Sequence, residues 1–151
     1  MNQQRRTLMQ FTALVGLMAS AGLITKAEAA TWNKAAFEAK TIADVEKVLG
    51  ASGIQESDQV SLRAPDIAEN GAVVPVGIQS DLEGITEAAI LVKENPSALA
   101  AMFMLPAGAK PNVTTRVKMG QTSDVIAMVK SGDKWLMATK EIKVTLGGCG
   151  G

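Results

Sequence analysis

Cys149 is the residue with the clearest capacity for chemistry, because it is the only cysteine in the chain of 151 residues. Two glycines stand on each side of it: Gly147, Gly148, Gly150 and Gly151. Glycine loses more conformational freedom on ordering than any other residue, so we expect residues 147–151 to form a mobile arm. At about 3.3 to 3.6 Å per residue, three residues carry the thiol about 10 Å beyond Leu146. The pattern predicts a thin tether with a nucleophile near its tip.

The rest of the composition is poorly suited to activating this thiol. The chain contains no histidine, which excludes Ser-His and Cys-His nucleophile pairs and every zinc site with an imidazole ligand. An exposed thiol has a pKa of about 8.5, so only a few per cent of it is thiolate at neutral pH. We therefore expect another protein to supply the acid, base or metal that activates Cys149. The sequence predicts no catalytic residue, no metal ligand and no bound cofactor within the chain itself.

Three kinds of function are compatible with the arm. A covalent carrier would deliver its thiol into narrow clefts of other proteins, since the glycines present nothing but backbone to such a cleft. A structural or interaction module would use Cys149 for an interchain disulfide, because a single cysteine cannot form one within the chain. An enzyme with its own site has the least support, since no Ser, Lys or carboxylate cluster shows a catalytic spacing. The carrier is the leading hypothesis.

Residues 1–29 have the features of an export signal. A charged region, an apolar stretch and a small-x-small cleavage pattern are carried in turn by Arg5 and Arg6, by residues 11–24, and by Ala27 and Ala29. We expect cleavage before Ala30. The apolar stretch of about 14 residues is too short for a lasting transmembrane helix, so we expect no stable membrane anchor. The paired arginines favour the twin-arginine route over the general secretory route and predict a periplasmic protein.

The charge of the chain gives no indication of a nucleic acid or membrane partner. Removal of residues 1–29 takes away three of the 15 basic residues and one of the 15 acidic ones, so the exported chain has a net charge near −2. Binding to nucleic acid or to an anionic membrane depends on a basic surface. The remaining 122 residues are enough to bury the core of one domain.

A helical segment is predicted at residues 30–53, ahead of the β-rich part. Thr41 can cap a helix that begins at the next residue, and Gly50 can end it. Three apolar residues share one face of this helix: Ile42, Val45 and Leu49.

Residues 54–146 change to a period of two, which is typical of strands with one buried face. The predicted strands are residues 58–64, 73–80, 86–93, 101–105, 113–119, 124–129 and 135–146. The last of these is long enough to contain an interruption. Turn residues separate them, and no helical period intervenes. About seven short strands at this spacing predict an antiparallel β-sandwich.

Residues 68–76 are the best candidate for a contact with another protein. Pro75 interrupts an apolar run, which predicts a bulge or an edge strand, and an edge strand can accept a partner. The residues that we assign to this possible contact are Asn70, Gly71, Val74 and Pro75.

The chain resembles SoxY, the family of thiosulfate-oxidation sulfur carriers of the bacterial periplasm. The likeness rests on the ending at residues 144–151, the segment at residues 64–76, the twin-arginine leader and the helix before the strands. It implies an immunoglobulin-like form of the predicted sandwich. It also implies that Cys149 holds the sulfur substrate covalently and that the chain itself catalyses no step.

The resemblance further implies a set of partners. The first is SoxZ, a second small β-sandwich that forms a heterodimer with the carrier. A c-type cytochrome couples thiosulfate oxidatively to the thiol, a di-manganese hydrolase releases sulfate, and a molybdenum- and haem-containing dehydrogenase oxidises the remaining sulfane. We expect residues 70–76 to form part of the heterodimer contact.

Overall fold

The computed structural model describes residues 33–145. The predicted export signal at residues 1–29 and the predicted arm at residues 147–151 lie outside the described residues. No helix within residues 33–145 is long and apolar enough to cross a membrane.

Two short helices open the described part of the chain, α1 at Lys34–Glu38 and α2 at Ile42–Leu49. The predicted cap of α2 is confirmed, because the Thr41 hydroxyl accepts a hydrogen bond from the amide of Asp44 at 3.1 Å. The predicted end is confirmed as well, since Gly50 has a φ of 65°, a left-handed conformation that suits glycine.

Nine strands follow within the described residues. In chain order they are β1 (Gln55–Glu56), β2 (Val60–Arg63), β3 (Ile67–Ala68), β4 (Val74–Ser80), β5 (Ile85–Val92), β6 (Leu99–Met104), β7 (Asn112–Val117), β8 (Ser123–Ser131) and β9 (Lys134–Val144). The seven longer strands overlap the seven predicted ones. The two-residue strands β1 and β3 were not predicted, because a period of two cannot be recognised over two residues.

The strands form two sheets. The larger has the order β1-β9-β8-β5-β6, with β3 also paired to β9, and the smaller has the order β2-β4-β7. The pairs between longer strands are antiparallel, whereas β1 and β3 run parallel to β9. Side chains from both sheets meet in one buried core, for example Val76 and Ile78 of β4 with Ile90 of β5. The predicted β-sandwich, with a helical segment ahead of it, is therefore confirmed.

A second apolar cluster lies on the other face of the larger sheet. It joins Val45 of α2 to Leu91, Met128 and Trp135 of the sheet. The larger sheet is therefore buried on both faces, and its strands β5 and β8 are almost continuously apolar because neither face meets water.

Two details of the predicted strands differ from the structure. β9 pairs with β8 in one unbroken register from Lys134 to Ile142, without a break. Pro75 lies in β4, the central strand of the smaller sheet, so the predicted edge strand is wrong, and its pairing with β7 shows no bulge. Proline is tolerated there because β2 reaches no further than Gly77, so among the described strands β7 alone pairs with β4 at Pro75.

Candidate functional site

The site that the structure can describe is the base of the terminal arm, where β9 ends. Thr145 is the last described residue, four positions before Cys149. The following predicted residues lie outside the described part of the chain: Cys149, Gly147, Gly148, Gly150 and Gly151 of the arm, and Arg5, Arg6, Ala27 and Ala29 of the export signal.

β9 is held in the interior of the larger sheet. It pairs with β8 along one side and with β1 and β3 along the other. Ile142, three residues before Thr145, is fully buried in the core between the sheets. The segment that continues toward Cys149 therefore starts from a strand that is fixed within the sheet and not from a frayed edge.

Residues 64–73, which we call the arm-base loop, run alongside the last residues of β9. The amide of Lys143 donates a hydrogen bond to the Asp66 carbonyl at 3.0 Å, and the amide of Thr145 donates one to the Ala68 carbonyl at 3.1 Å. These bonds belong to the short parallel pairing of β3 with β9. These two hydrogen bonds fix one side of the β9 backbone to the arm-base loop as far as Thr145.

The opposite side of β9 is held by the turn that precedes β8. The amide of Val144 donates a hydrogen bond to the Thr122 hydroxyl at 3.0 Å. The amide of Met119 donates another to the Gly71 carbonyl at 2.7 Å, which joins this turn to the arm-base loop. The amides of Lys143, Val144 and Thr145 are thus hydrogen-bonded on alternating sides of the chain, and Thr145 is the last described residue.

An ion pair adds a side-chain contact to the same place. The ammonium group of Lys140 lies 2.9 Å from Oδ1 of Asp66 and donates a hydrogen bond to the Ala64 carbonyl at 2.6 Å. The hydrogen bond and the charge of Lys140 lower the pKa of Asp66 below its usual value. Asp66 remains largely exposed, so this contact positions the loop more than it stabilises the fold.

The residues predicted to contact a partner lie in or beside the arm-base loop, but they differ in exposure. Asn70 is exposed, and its side-chain oxygen accepts the amide of Ala72 at 2.9 Å in a local turn. Gly71 is half-buried and Pro75 is exposed. Val74 has no exposed surface and belongs to the core, so its prediction as a contact residue is wrong. As the first residue of a central strand, it points into the sandwich.

Sequence reasoning missed most of the residues that surround the arm base, although Val73 lies within the predicted contact at residues 68–76. Ile67 and Val73 are large apolar residues that are 56% and 50% exposed, and both belong to the arm-base loop. Two large apolar side chains exposed in one short segment are a candidate surface for a protein-protein contact. Lys140 and Thr122 were also missed, because their partners lie far away in the sequence and no local pattern marks them.

Two surface clefts bear on what the described residues can do. A cleft of about 400 Å³ lies at the end of the sandwich opposite to Thr145 and is lined by Asp58, Gln59, Ser80 and Asp81. Another, of about 390 Å³, lies between the β5–β6 turn and the end of β7. Within residues 33–145 no group of three or more acidic or thiol side chains could hold a metal ion.

Comparison with known proteins gives a consistent result. The family model described as "Sulfur oxidation protein SoxY" matches residues 45–149, a span that contains every described strand and Cys149. Among solved structures, the chain is similar to the sulfur carrier protein SoxY from Chlorobium limicola f thiosulfatophilum. The two share 36% identity over 69% of this chain and 94% of that chain, with a TM-score of 0.63. No curated protein matches the chain.

Proposed function

The chain belongs to the SoxY family of sulfur oxidation proteins, and from this premise we propose that it is a sulfur carrier whose attachment site is Cys149. The observation that carries the proposal is the extent of the family match, which runs through the last strand and ends at residue 149. The similar structure from Chlorobium limicola is itself a sulfur carrier. The substrate we propose is thiosulfate, held covalently on the thiol, with no resident cofactor.

The chemistry on the thiol explains why the chain needs no catalytic residues of its own. Joining thiosulfate to the Cys149 thiol forms a sulfur–sulfur bond and releases one proton and two electrons. A c-type cytochrome partner accepts the two electrons. Water then cleaves the outer sulfonate as sulfate in the di-manganese hydrolase, which leaves a persulfide on Cys149, and a sulfane dehydrogenase oxidises what remains.

The structure supports this division of labour through the way it holds the arm base. The amides of Lys143, Val144 and Thr145 are each hydrogen-bonded to the body of the protein. Cys149 follows Thr145 by four positions, so its Cα atom can lie at most about 14 Å from that of Thr145. A fixed origin and a short reach confine the substrate to a small volume, which raises its effective concentration at a docked enzyme.

The second part of the proposal concerns the heterodimer partner. We propose that a SoxZ-like β-sandwich docks on the arm-base loop, through the exposed Ile67 and Val73 and the neighbouring Asn70 and Pro75. Burial of two exposed apolar side chains would favour association. A partner in this position would stand beside the arm and help to form the surface that the enzymes meet. We place the complex in the periplasm, reached by the twin-arginine route.

The carrier function is tested by the intact mass of the protein isolated from cells grown on thiosulfate. We expect sulfur adducts that map to Cys149 and are removed by a reducing thiol. We also expect Cys149→Ser to abolish thiosulfate oxidation, whereas Ser52→Ala, the loss of one exposed hydroxyl oxygen elsewhere, leaves it intact. A thiol without adducts, together with thiosulfate oxidation by the Cys149→Ser cells, would refute the proposal.

The same samples separate the carrier from a disulfide-linked structural module. A module would exist as a stable covalent dimer on non-reducing gels, and reduction would abolish its function. For the carrier we expect the reduced chain, with no interchain disulfide at Cys149, to be the form that accepts thiosulfate.

A further inference from the structure

The turn at residues 70–73 places an exposed asparagine directly before a glycine. The amide of Val73 donates a hydrogen bond to the Asn70 carbonyl at 3.3 Å, which closes the turn. The amide of Ala72 donates another to Oδ1 of the Asn70 side chain at 2.9 Å. An oxygen that accepts a hydrogen bond draws electrons from its carbon, so Cγ of Asn70 becomes more electrophilic. The same bond keeps Cγ on the side of the chain where the following amides lie.

The two nitrogens beside this carbon are not engaged elsewhere. Within residues 33–145, the Gly71 amide donates no hydrogen bond and Nδ2 of Asn70 has no partner. Gly71 is held through its carbonyl, which accepts the amide of Met119 at 2.7 Å. Because glycine has no Cβ, its own side chain cannot hinder attack by its nitrogen. One turn therefore combines a polarised amide carbon, an unengaged nitrogen nucleophile and an exposed leaving group.

We propose that Asn70 is a site of spontaneous deamidation, in which the Gly71 nitrogen attacks Cγ of Asn70. The Gly71 nitrogen loses its proton to solvent and forms a bond to Cγ. The bond from Cγ to Nδ2 breaks, and Nδ2 takes up a proton and leaves as ammonia, which gives a five-membered succinimide. Water then opens the ring at Cγ to give aspartate, or at the main-chain carbonyl carbon to give isoaspartate. No electrons are transferred, and the inference does not depend on the proposed carrier function.

The other three asparagines among residues 33–145 lack this combination. Asn95 precedes Pro96, which has no amide proton to lose. Asn112 precedes Val113, whose branched side chain crowds the attacking nitrogen. Asn33 caps α1 and is followed by a lysine, which also carries a side chain. We therefore expect the reaction to be selective for the turn at residues 70–73.

The isoaspartyl product would disturb the place where the arm-base loop meets β9. Its main chain passes through Cγ and is one atom longer than normal. The lengthened chain has little room beside Gly71, where a Cβ atom would lie 2.9 Å from Cγ1 of Val144 and closer still to the Met119 carbonyl. The loop is also tied by the bond from the Thr145 amide to the Ala68 carbonyl. We expect the hydrogen bonds donated by Met119 and Thr145 to weaken in this form.

The test incubates the exported protein at pH 6 and at pH 8 and follows its mass. Replacement of ammonia by water adds one dalton, and peptide mapping locates the change. An isoaspartyl methyltransferase with labelled S-adenosylmethionine counts the isoaspartate. The test variant is Asn70→Ser, which keeps a side-chain oxygen for the turn but has no amide to lose. The matched control is Asn112→Ser, which removes another exposed asparagine.

We expect the wild type and Asn112→Ser to convert at the same rate, with the added mass at Asn70. The rate should rise by about tenfold for each pH unit, because the attacking nitrogen must first lose its proton. Asn70→Ser should gain neither mass nor label. Conversion at Asn112 as fast as at Asn70, or an unchanged Asn70 after weeks at pH 8, would overturn the proposal.

A second measurement tests the effect on the arm base. Hydrogen exchange at the amides of Met119 and Thr145 is compared between the isoaspartyl form and Asn70→Asp, which has the added charge on a main chain of normal length. We expect faster exchange in the isoaspartyl form alone. Equal exchange in the two would overturn the structural consequence. Neither measurement involves Cys149, so the carrier function is judged separately by its sulfur adducts.

Discussion

Gly71 packs against Val144 so closely that a Cβ atom on Gly71 would lie 2.9 Å from Cγ1 of Val144, and closer still to the Met119 carbonyl. Real Cβ atoms do not approach their neighbours to this distance. The arm-base loop, the turn before β8 and the end of β9 therefore meet at a residue that must lack a side chain. Any change that separates them alters the point from which the arm begins.

Gly71→Ala should destabilise the protein by about 1 to 3 kcal/mol, because the added methyl group forces the backbone of Met119 or the side chain of Val144 to move. The measurement is the free energy of unfolding in urea. Gly120→Ala is the matched control, since a Cβ atom at Gly120 meets nothing within 4 Å. Equal stabilities of the two variants would show that the close packing at Gly71 is not needed.

Ile142→Ala should cost about 2 to 5 kcal/mol of unfolding free energy, whereas Ile142→Val should cost about 0.5 to 1.5 kcal/mol. The reason is that Ile142 is fully buried in the core between the sheets, where a lost side chain leaves a cavity. Urea unfolding of the three proteins gives the comparison. If the alanine variant were as stable as the valine variant, β9 would not be anchored by core packing.

Stability should depend on the protonation of Asp66. Its pKa is lowered by Lys140, so the ion pair contributes above the ordinary pKa of about 3.8 and is lost as the pH falls through the lower folded value. We expect Asp66→Asn to be slightly less stable than the wild type at pH 7 and this difference to shrink as the pH falls below 3.8.

The control for this titration is Asp133→Asn, because Asp133 has no ion pair among the described residues. Urea midpoints measured from pH 7 downward give the difference between each variant and the wild type. A difference for Asp66→Asn that stays constant over this range would contradict the role of the Lys140 pair.

Ile67→Asp/Val73→Asp should weaken the heterodimer at least tenfold, because the variant places two charges where we propose that a partner covers apolar side chains. The dissociation constant, measured by calorimetry with the partner sandwich, tests this. Met104→Asp is the control, since Met104 is 62% exposed and lies at the opposite end of β6 from the arm base. Comparable weakening by Met104→Asp would place the partner elsewhere.

The sequence by itself was sufficient for the features that depend on neighbouring residues. Thr41 and Gly50 mark the ends of α2, and the period of two over residues 113–119 predicts β7, in which Val117 is buried. These signals act over a few residues, so they are readable without tertiary contacts. The chemistry proposed for Cys149 is of the same kind, because it depends on residue type and on the adjacent glycines.

Tertiary structure decided what surrounds the arm. The pairing of Ile67 with Lys143 and the contact of Lys140 with Ala64 join residues that are 76 positions apart. No local pattern marks such a pair, because the interaction between its two residues forms only when both segments are already in place in the fold. Pro75 illustrates the same limit. Its residue type predicts a missing neighbour, but the sequence did not show that β4 is a central strand and that the neighbour is missing because β2 pairs with β4 only as far as Gly77. The chain alone thus identified the thiol, and the packing of distant segments determined the platform from which it extends.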